Sequence, residues 1–447
     1  MDGFFLPHSV AVIGASRKPG KIGHTIVKNL KEYGFKGEIY PINPKADEIE
    51  GLKAYPSVLD VPGTIDLAIV AVPAHIVPTV MEEIGKKGIK HAVIISSGFR
   101  EVGNVELEER VMEIARRYGV RVVGPNVFGV VYTPARLNAT FGPTDVKPGS
   151  IALISQSGAL GIALMGWTQE RDIGLSAIVS VGNKADVAEE DLLPFFERDP
   201  HTKVVVIYME GVKDGRRFMD AARRFRKPLV IVKAGRSERG KKAVSSHTGS
   251  LAGSDRVYEG VFRQVGAIRA RSVEEAFVFA RALSMQDPPM GENVVIITNG
   301  GGIGVLATDR AEERGIHLYS GPDLVAFKHA MPAFGSWRNP VDITGMADED
   351  MYAKALRIAL QNENIHGIIL LYCQTAVCDA KKLAESVVSV YGGEKPIVAG
   401  FVGGKESSEA IEYLNRHGIP AYDAPEKAVD AMYALMMWRK YRKKKIG

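Results

Sequence analysis

Short apolar runs that end in Gly, Pro, Ser or Asn alternate with helix-length amphipathic segments along this chain. In the first third, the runs are SVAVIGAS, GEIYPINP, DLAIVAVP, HAVIISSG and VRVVGPN. A continuous apolar run of this length is typical of a parallel strand that is buried on both faces, and the segments between the runs supply crossover helices. The pattern predicts an α/β fold in which the loops at the carboxyl ends of the strands carry ligands.

The last two thirds of the chain contain an internal repeat. IALISQSGALGIALM (151–165) aligns with VVIITNGGGIGVLAT (294–308) at a constant offset of 143 positions, and KPLVIVKAG (227–235) aligns with KPIVAGFVG (395–403). Because the matches keep the same order, they predict two copies of one doubly wound domain. The length of 447 residues is that of about three domains.

These observations predict a Rossmann-like domain over 1–132, two flavodoxin-like domains with parallel sheets over 146–286 and 292–438, and a basic tail over 439–447. The first copy of the repeat contains an insertion. From Gly235 to Gly266 is 31 positions, whereas from Gly403 to Gly418 is 15. The insertion includes SSHTGSLAGS. Since the second copy closes without this segment, we interpret it as a candidate for function, and its glycines, Gly249 and Gly253, predict a mobile loop.

Charge and cysteine content exclude several classes of protein. The formal net charge is +5, from 57 basic and 52 acidic residues, and six of the basic residues lie in the tail RKYRKKKIG. The remaining chain is nearly neutral, so we expect no nucleic-acid surface and interpret the tail as a solvated helix end. Two cysteines form no disulfide framework, and no metal motif is visible. Without a signal peptide or an apolar run of about 18 residues, we expect a cytoplasmic protein that does not enter a membrane.

Three glycine turns follow predicted strands and precede predicted helices. The first, Gly14-Ala15-Ser16, departs from the dinucleotide pattern GxGxxG, and the next strand ends with Asn43 and Lys45 rather than with an acidic residue. The other two turns are SQSG and NGGG. A helix N-terminus carries about half a positive charge, so we predict that these two turns face each other and bind one phosphate. The predicted phosphate-binding residues are Ser155, Gln156, Ser157, Gly158, Gly300, Gly301 and Gly302.

His247 and Glu210 are the candidate catalytic residues. A neutral imidazole can accept a phosphoryl group on one ring nitrogen when an acceptor orients the other. Glu210 directly follows the apolar strand VVVIYM, at a carboxyl end, whereas Cys373 occupies the matched position of the second copy. The copy that contains the histidine insertion therefore also contains the carboxylate.

The motifs GPNVFGVV, SQSGALG, YMEG and SSHTGSLAGS, in this order after an IGAS turn, resemble the α subunits of the succinyl-CoA synthetase family. They are most similar to the archaeal ADP-forming acetyl-CoA synthetase branch. The final domain, with TNGGGIG and NPVDITG, resembles the carboxyl-terminal domain that succinyl-CoA synthetases carry on their β subunit, and its presence on the α chain is typical of the acetyl-type branch. The resemblance implies that acyl-CoA and inorganic phosphate give an acyl phosphate, and that the phosphoryl group then passes to His247, oriented by Glu210.

The same resemblance implies a coenzyme A site and a partner. The implied CoA-binding residues are Gly14, Ala15, Ser16, Arg17, Lys18, Lys45, Val72, Pro73, Ala74, Ile95, Ser96, Ser97 and Asn126. The chain contains no ATP-grasp domain, so ADP, ATP and Mg²⁺ are expected on a separate ATP-grasp β subunit in an α2β2 heterotetramer. No residue pattern indicates which acid is preferred.

Three alternatives are open at this point. A succinyl-CoA synthetase-type α subunit would need only about the first two domains. A nicotinamide-dependent oxidoreductase would use the first glycine turn, although Lys45 opposes this interpretation. A non-enzymatic CoA-binding regulatory subunit would keep the fold and would not need His247.

Overall fold

The computed structural model describes residues 1–248 and 253–446, and of residues 245–248 and 443–446 it describes the backbone alone. The described chain forms two compact units, Met1–Arg269 and Ala270–Gly447. Within the described residues, no helix has the combination of length and apolar composition that crossing a bilayer requires.

The first unit begins with a parallel sheet in the strand order β2–β1–β5–β6–β7. Buried Val, Ile, Leu and Ala residues fill these strands, as predicted for a sheet covered on both faces. The strands are β1 (Ser9–Ile13), β2 (Glu38–Ile42), β3 (Glu48–Ile49), β4 (Leu52–Lys53), β5 (Leu67–Val70), β6 (His91–Ile94) and β7 (Arg121–Val123), and β3 pairs with β4 in a separate hairpin. The helices are α1 (Asp2–Phe5), α2 (Ile22–Glu32), α3 (Val77–Lys87) and α4 (Val105–Tyr118).

The second sheet of this unit has the order β14–β13–β12–β10–β11–β8–β9. Its strands are β8 (Gly129–Tyr132), β9 (Leu137–Thr140), β10 (Pro148–Ser155), β11 (Leu175–Ser180), β12 (Val204–Met209), β13 (Leu229–Lys233) and β14 (Ile268–Ala270). The helices are α5 (Gly158–Glu170), α6 (Glu189–Arg198), α7 (Gly215–Arg224), α8 (Glu238–Thr248) and α9 (Asp255–Val265). Strands β8 and β9 are antiparallel additions to the edge of the sheet. The Phe5 ring of α1 stacks on Phe195 of α6 at 4.1 Å between ring centroids, and it lies 5.7 Å from the Tyr132 ring of β8.

The second unit contains a parallel sheet in the order β16–β15–β17–β18–β19. Its elements are α10 (Val273–Met285), β15 (Val294–Thr298), α11 (Gly301–Arg314), β16 (Val341–Asp342), α12 (Glu349–Gln361), β17 (Gly367–Cys373), α13 (Ala380–Val390), β18 (Ile397–Val402), α14 (Lys405–Arg416), β19 (Ala421–Tyr422) and α15 (Pro425–Ile446). Asp430 accepts hydrogen bonds from Arg310 and Arg314, and Arg314 also donates to Glu275. These ion pairs hold α10, α11 and α15 together.

The three sheets share one topology. Counted along the chain within each sheet, and leaving out β8 and β9, the strand order is 2-1-3-4-5, the order of doubly wound flavodoxin-like folds. The predicted fold class is therefore confirmed. The boundaries given above for three domains stay a prediction.

The first four residues of SSHTGSLAGS are helical and not a loop. Two helices, α8 and α9, connect β13 to β14, whereas α14 alone connects β18 to β19. The segment from Glu238 to Thr248 is helical because Ser237 accepts at its start, from the Gly240 N–H at 3.1 Å, and Lys241 pairs with Glu238 at 2.6 Å. Gly249 lies outside the described residues, and Gly253 precedes Ser254, the N-cap residue of α9.

Candidate active site

The residues predicted to bind CoA lie at the carboxyl edge of the first sheet, because each follows one of its parallel strands. The turn after β1 approaches the loop after β5 closely. Gly14 has φ +89°, and a Cβ there would lie 2.3 Å from the Ala71 carbonyl oxygen. Only glycine combines this left-handed backbone with so short an approach. The turn therefore lies tightly against the loop after β5, at the edge where strand order reverses, which is the usual ligand position in such sheets.

Hydrogen bonds connect the turn after β1 to the loop after β2. The Gly14 N–H donates to Ile42 at 3.1 Å, and the Asn43 amide donates to the Ala15 carbonyl at 2.7 Å. The Arg17 guanidinium donates to the Lys45 carbonyl at 3.3 Å. The side chains of Arg17, Lys18 and Lys45 are exposed at this edge, so the donor set fits a polyphosphate such as that of coenzyme A.

The remaining loops of this edge are also bonded to one another. The Ser96 hydroxyl donates to the Val72 carbonyl at 2.5 Å, and the Asn126 N–H donates to the Ser96 carbonyl at 3.0 Å. The predicted residues of these loops are Val72, Pro73, Ala74, Ile95, Ser96, Ser97 and Asn126. The structure thus brings the predicted CoA residues to one edge. It also places there Lys21, an exposed residue immediately before α2 that the motifs did not indicate.

The first phosphate-binding turn of the prediction caps α5. Ser157 is the N-cap residue, and its hydroxyl accepts from the Leu160 N–H at 3.4 Å. The Ser155 hydroxyl donates to the Ser157 carbonyl at 2.8 Å, which fixes the turn between β10 and the helix. Gly158 is the first residue of α5, so the positive end of the helix lies in this turn.

Glu210 lies beside this turn. Its side chain is 4% exposed, and it directly follows β12. The Gln156 side-chain oxygen accepts from the Glu210 N–H at 2.5 Å and from the Gly211 N–H at 3.0 Å. The structure therefore joins the predicted turn and the predicted carboxylate through one buried amide. The pKa of the neighbouring Tyr208 is raised by burial and by the charge of Glu210.

Two buried lysines near Glu210 were not found from the sequence. Lys233 ends β13, and Lys184 lies in the loop after β11; their side chains are 3% and 4% exposed. Burial lowers the pKa of Lys233. Lys233 could have been found from the sequence, because in VIVK a lysine ends an otherwise apolar strand.

His247 belongs to α8, whose backbone the structure describes to Thr248. The side chain of His247 lies outside the described part of the chain, and its role as phosphoryl acceptor stays a prediction.

The second glycine turn belongs to the second unit. Gly300 is the N-cap residue of α11, and Gly301 and Gly302 are the first two residues of that helix. The Asn299 side chain donates to the Cys373 carbonyl at 2.9 Å and accepts from the Cys373 N–H at 2.8 Å. The turn thus repeats the arrangement of Gln156 and Glu210, with a thiol in place of the carboxylate. That the two turns face one phosphate stays a prediction.

Comparison with known proteins finds matches along most of the chain. Three family models match it: a CoA binding domain over 8–133, a succinyl-CoA ligase like flavodoxin domain over 148–283 and a ligase-CoA domain over 294–445. The chain is 58% identical to the α subunit of ADP-forming acetate–CoA ligase I of Pyrococcus furiosus, over 99% of both chains. It is 44% identical to ADP-forming acetate–CoA ligase I of Archaeoglobus fulgidus, and there it covers 98% of itself but 64% of the relative.

A solved structure is similar over its whole length. Acetyl-coenzyme A synthetase 1 of Candidatus Korarchaeum cryptofilum, in complex with phosphate and ADP, has a TM-score of 0.96 and 50% identity. The match covers 100% of this chain and 98% of that one.

Proposed function

This chain belongs to the family of α subunits of ADP-forming acetate–CoA ligases, and from that premise we propose that it converts acyl-CoA, phosphate and ADP to acid, CoA and ATP together with a partner subunit. The relatives are ligases by name. Acetyl-CoA is the proposed acyl-CoA, because the relatives reported above are named acetate–CoA ligases. CoA would lie at the carboxyl edge of the first sheet, where Arg17, Lys18 and Lys45 offer cations to its phosphates.

The observation that carries the chemical part of the proposal is the hydrogen bonding of Gln156. Its side chain holds the Glu210 backbone beside the turn that begins α5. A carboxylate that orients an imidazole and a helix N-terminus that binds phosphate thereby belong to one rigid assembly. This is the combination that a phosphohistidine site requires.

In the proposed transfer, the lone pair of one His247 ring nitrogen forms a bond to phosphorus as the bond from phosphorus to the acyl oxygen breaks. The carboxylate of the acid leaves with the electron pair. The proton on the companion ring nitrogen stays there, and Glu210 accepts a hydrogen bond from it, which fixes the tautomer and stabilises the charged ring. The turn before α5 would offer about half a positive charge to the phosphoryl oxygens.

The partner is proposed from chain lengths. This chain spans 99% of the Pyrococcus furiosus α subunit but 64% of the Archaeoglobus fulgidus ligase. The remaining part of the longer relative supports a second subunit for this chain. We propose that this subunit is an ATP-grasp protein that binds ADP, ATP and Mg²⁺, and that the assembly is α2β2.

Transfer of labelled phosphate tests the proposal. The full chain is incubated with acetyl-CoA and [³²P]phosphate, without nucleotide, and acid-labile, alkali-stable label on the protein is measured. We expect label on the wild type and on His201→Ala, and none on His247→Ala. His201 is an exposed histidine in the turn between α6 and β12. Equal labelling of His247→Ala, or no labelling of the wild type, would reject the phosphohistidine. CoA binding by the wild type and both variants, measured by calorimetry, controls for folding.

A further inference from the structure

The peptide groups of Glu210 and Gly211 are held by three buried side chains. Their two N–H groups donate to the Gln156 oxygen, as described above. The Glu210 carbonyl accepts from the Lys233 ammonium at 2.8 Å, and the Gly211 carbonyl accepts from the Lys184 ammonium at 2.7 Å. All four backbone polar groups of this dipeptide are therefore bonded to side chains that come from other strand ends.

Both lysines occupy positions at which a lysine is energetically unfavourable. Lys184 has φ +54°, a conformation that disfavours residues with a Cβ. Its ammonium is also paired with both oxygens of buried Glu189, each at 3.1 Å. Lys233 donates a second bond to Ala234 at 2.5 Å and lies 4.5 Å from the centroid of the Tyr258 ring. A buried ammonium is costly unless it is paired in this way.

The second copy of the domain shows that the fold does not require a lysine at the position of Lys233. The parallel register pairs Met209 with Lys233 in the first copy and Tyr372 with Phe401 in the second, so Phe401 occupies the position of Lys233. Phe401 is 1% exposed and packs on Tyr372. An apolar residue therefore satisfies the scaffold at the position where the carboxylate is absent.

We infer that Lys184 and Lys233 are positioning residues for phosphoryl transfer, which hold the Glu210 backbone so that its carboxylate is fixed for the histidine. The inference rests on the proposed function. We expect the lysines to affect the rate of the transfer and not the binding of substrate, because their ammonium groups donate to backbone carbonyls.

The test is a single-turnover reaction of the full chain with [³²P]acetyl phosphate over a range of concentrations. The maximal rate constant, the half-saturating concentration and the final amount of label are measured for the wild type, Lys233→Met, Lys184→Met and Lys227→Met. Lys227 is the matched control. It precedes the opposite end of β13, donates to the Phe196 and Asp199 carbonyls at 2.6 Å each, and also has a pKa lowered by burial.

We expect the rate constant of Lys233→Met and of Lys184→Met to fall by about tenfold to 10²-fold, which is the scale of a small misplacement of a catalytic group. The half-saturating concentration should stay unchanged, and Lys227→Met should react like the wild type. Partial unfolding would lower the final amount of label and leave the rate constant unchanged. The inference would be overturned by that pattern, and also by wild-type rate constants in both lysine variants. If one variant does not fold, as judged by CoA binding, the other decides. Absence of label on the wild type would instead reject the proposed function.

Discussion

The two ligase domains have the same strand order and the same turn, and they differ in what surrounds the turn. In each, the hydroxyl of the residue that ends the first strand (Ser155 or Thr298) donates to the carbonyl two residues later. The side-chain amide of the following residue (Gln156 or Asn299) accepts a hydrogen bond from the backbone at the end of the neighbouring strand. Around Glu210 the first domain adds two buried lysines and an extra helix. The second domain has a thiol, a phenylalanine and a shorter connection. Packing therefore sets the shared scaffold, and the polar groups of the first domain are additions that the scaffold does not need.

Exchange of the matched residues gives the largest expected effect. Glu210→Cys should lower the rate of phosphohistidine formation by about 10²-fold to 10⁴-fold, because the imidazole loses the group that orients it. Cys373→Ser should leave the rate unchanged. Single-turnover labelling with acetyl phosphate measures both. A similar loss in both variants would show that the two domains do not differ in the proposed way.

Substitution of the side-chain amides of the two turns should give a smaller difference between the domains. Gln156→Leu leaves two buried N–H groups without their acceptor and should destabilise the chain by about 1–3 kcal/mol for each. Asn299→Leu should lower the free energy of unfolding comparably, since Cys373 loses the same kind of bond. Denaturant unfolding measures these losses. Only Gln156→Leu should also slow the labelling reaction, and equal slowing would break the comparison.

Helix capping gives a still smaller effect. Ser157→Ala removes the N-cap of α5 and should cost about 1 kcal/mol, whereas the second domain has glycine at the matched N-cap. The cost should appear in the midpoint of thermal unfolding, with CoA binding unchanged. A loss of stability well above this value would mean that Ser157 has a further structural role.

The cysteines of the second domain should be without effect on the transfer. Burial raises the pKa of Cys378 to about 12, so this thiol stays protonated at neutral and mildly alkaline pH and should resist alkylation in the folded protein. Cys373 is partly exposed and should be the site that iodoacetamide modifies. Peptide mass spectrometry identifies the site. Loss of phosphohistidine formation after modification of Cys373 would contradict the separation of roles between the domains.

The repeat and the apolar runs were sufficient to predict the sheets, because buried parallel strands have a distinctive composition. Ser155, Gln156 and Glu210 could be predicted because Ser155 ends such a strand and the other two directly follow one. The helix over Glu238–Thr248 could not be predicted, since serine, glycine and histidine around position 247 are equally typical of a loop. The N-terminal cap and the ion pair of this helix precede that run of residues.

The sequence by itself determined that this protein is α/β, that it contains a duplicated domain, and that its polar residues follow strands at carboxyl ends. Composition and period are local properties, and burial of parallel strands imposes them residue by residue. Only the tertiary structure decided which of those side chains meet. Gln156, Lys184 and Lys233 converge on Glu210 and Gly211 from segments 23 to 55 positions away, and strand order brings them together. A hydrogen bond between distant residues leaves no periodic pattern in either segment, because its geometry depends on the packing of the whole sheet.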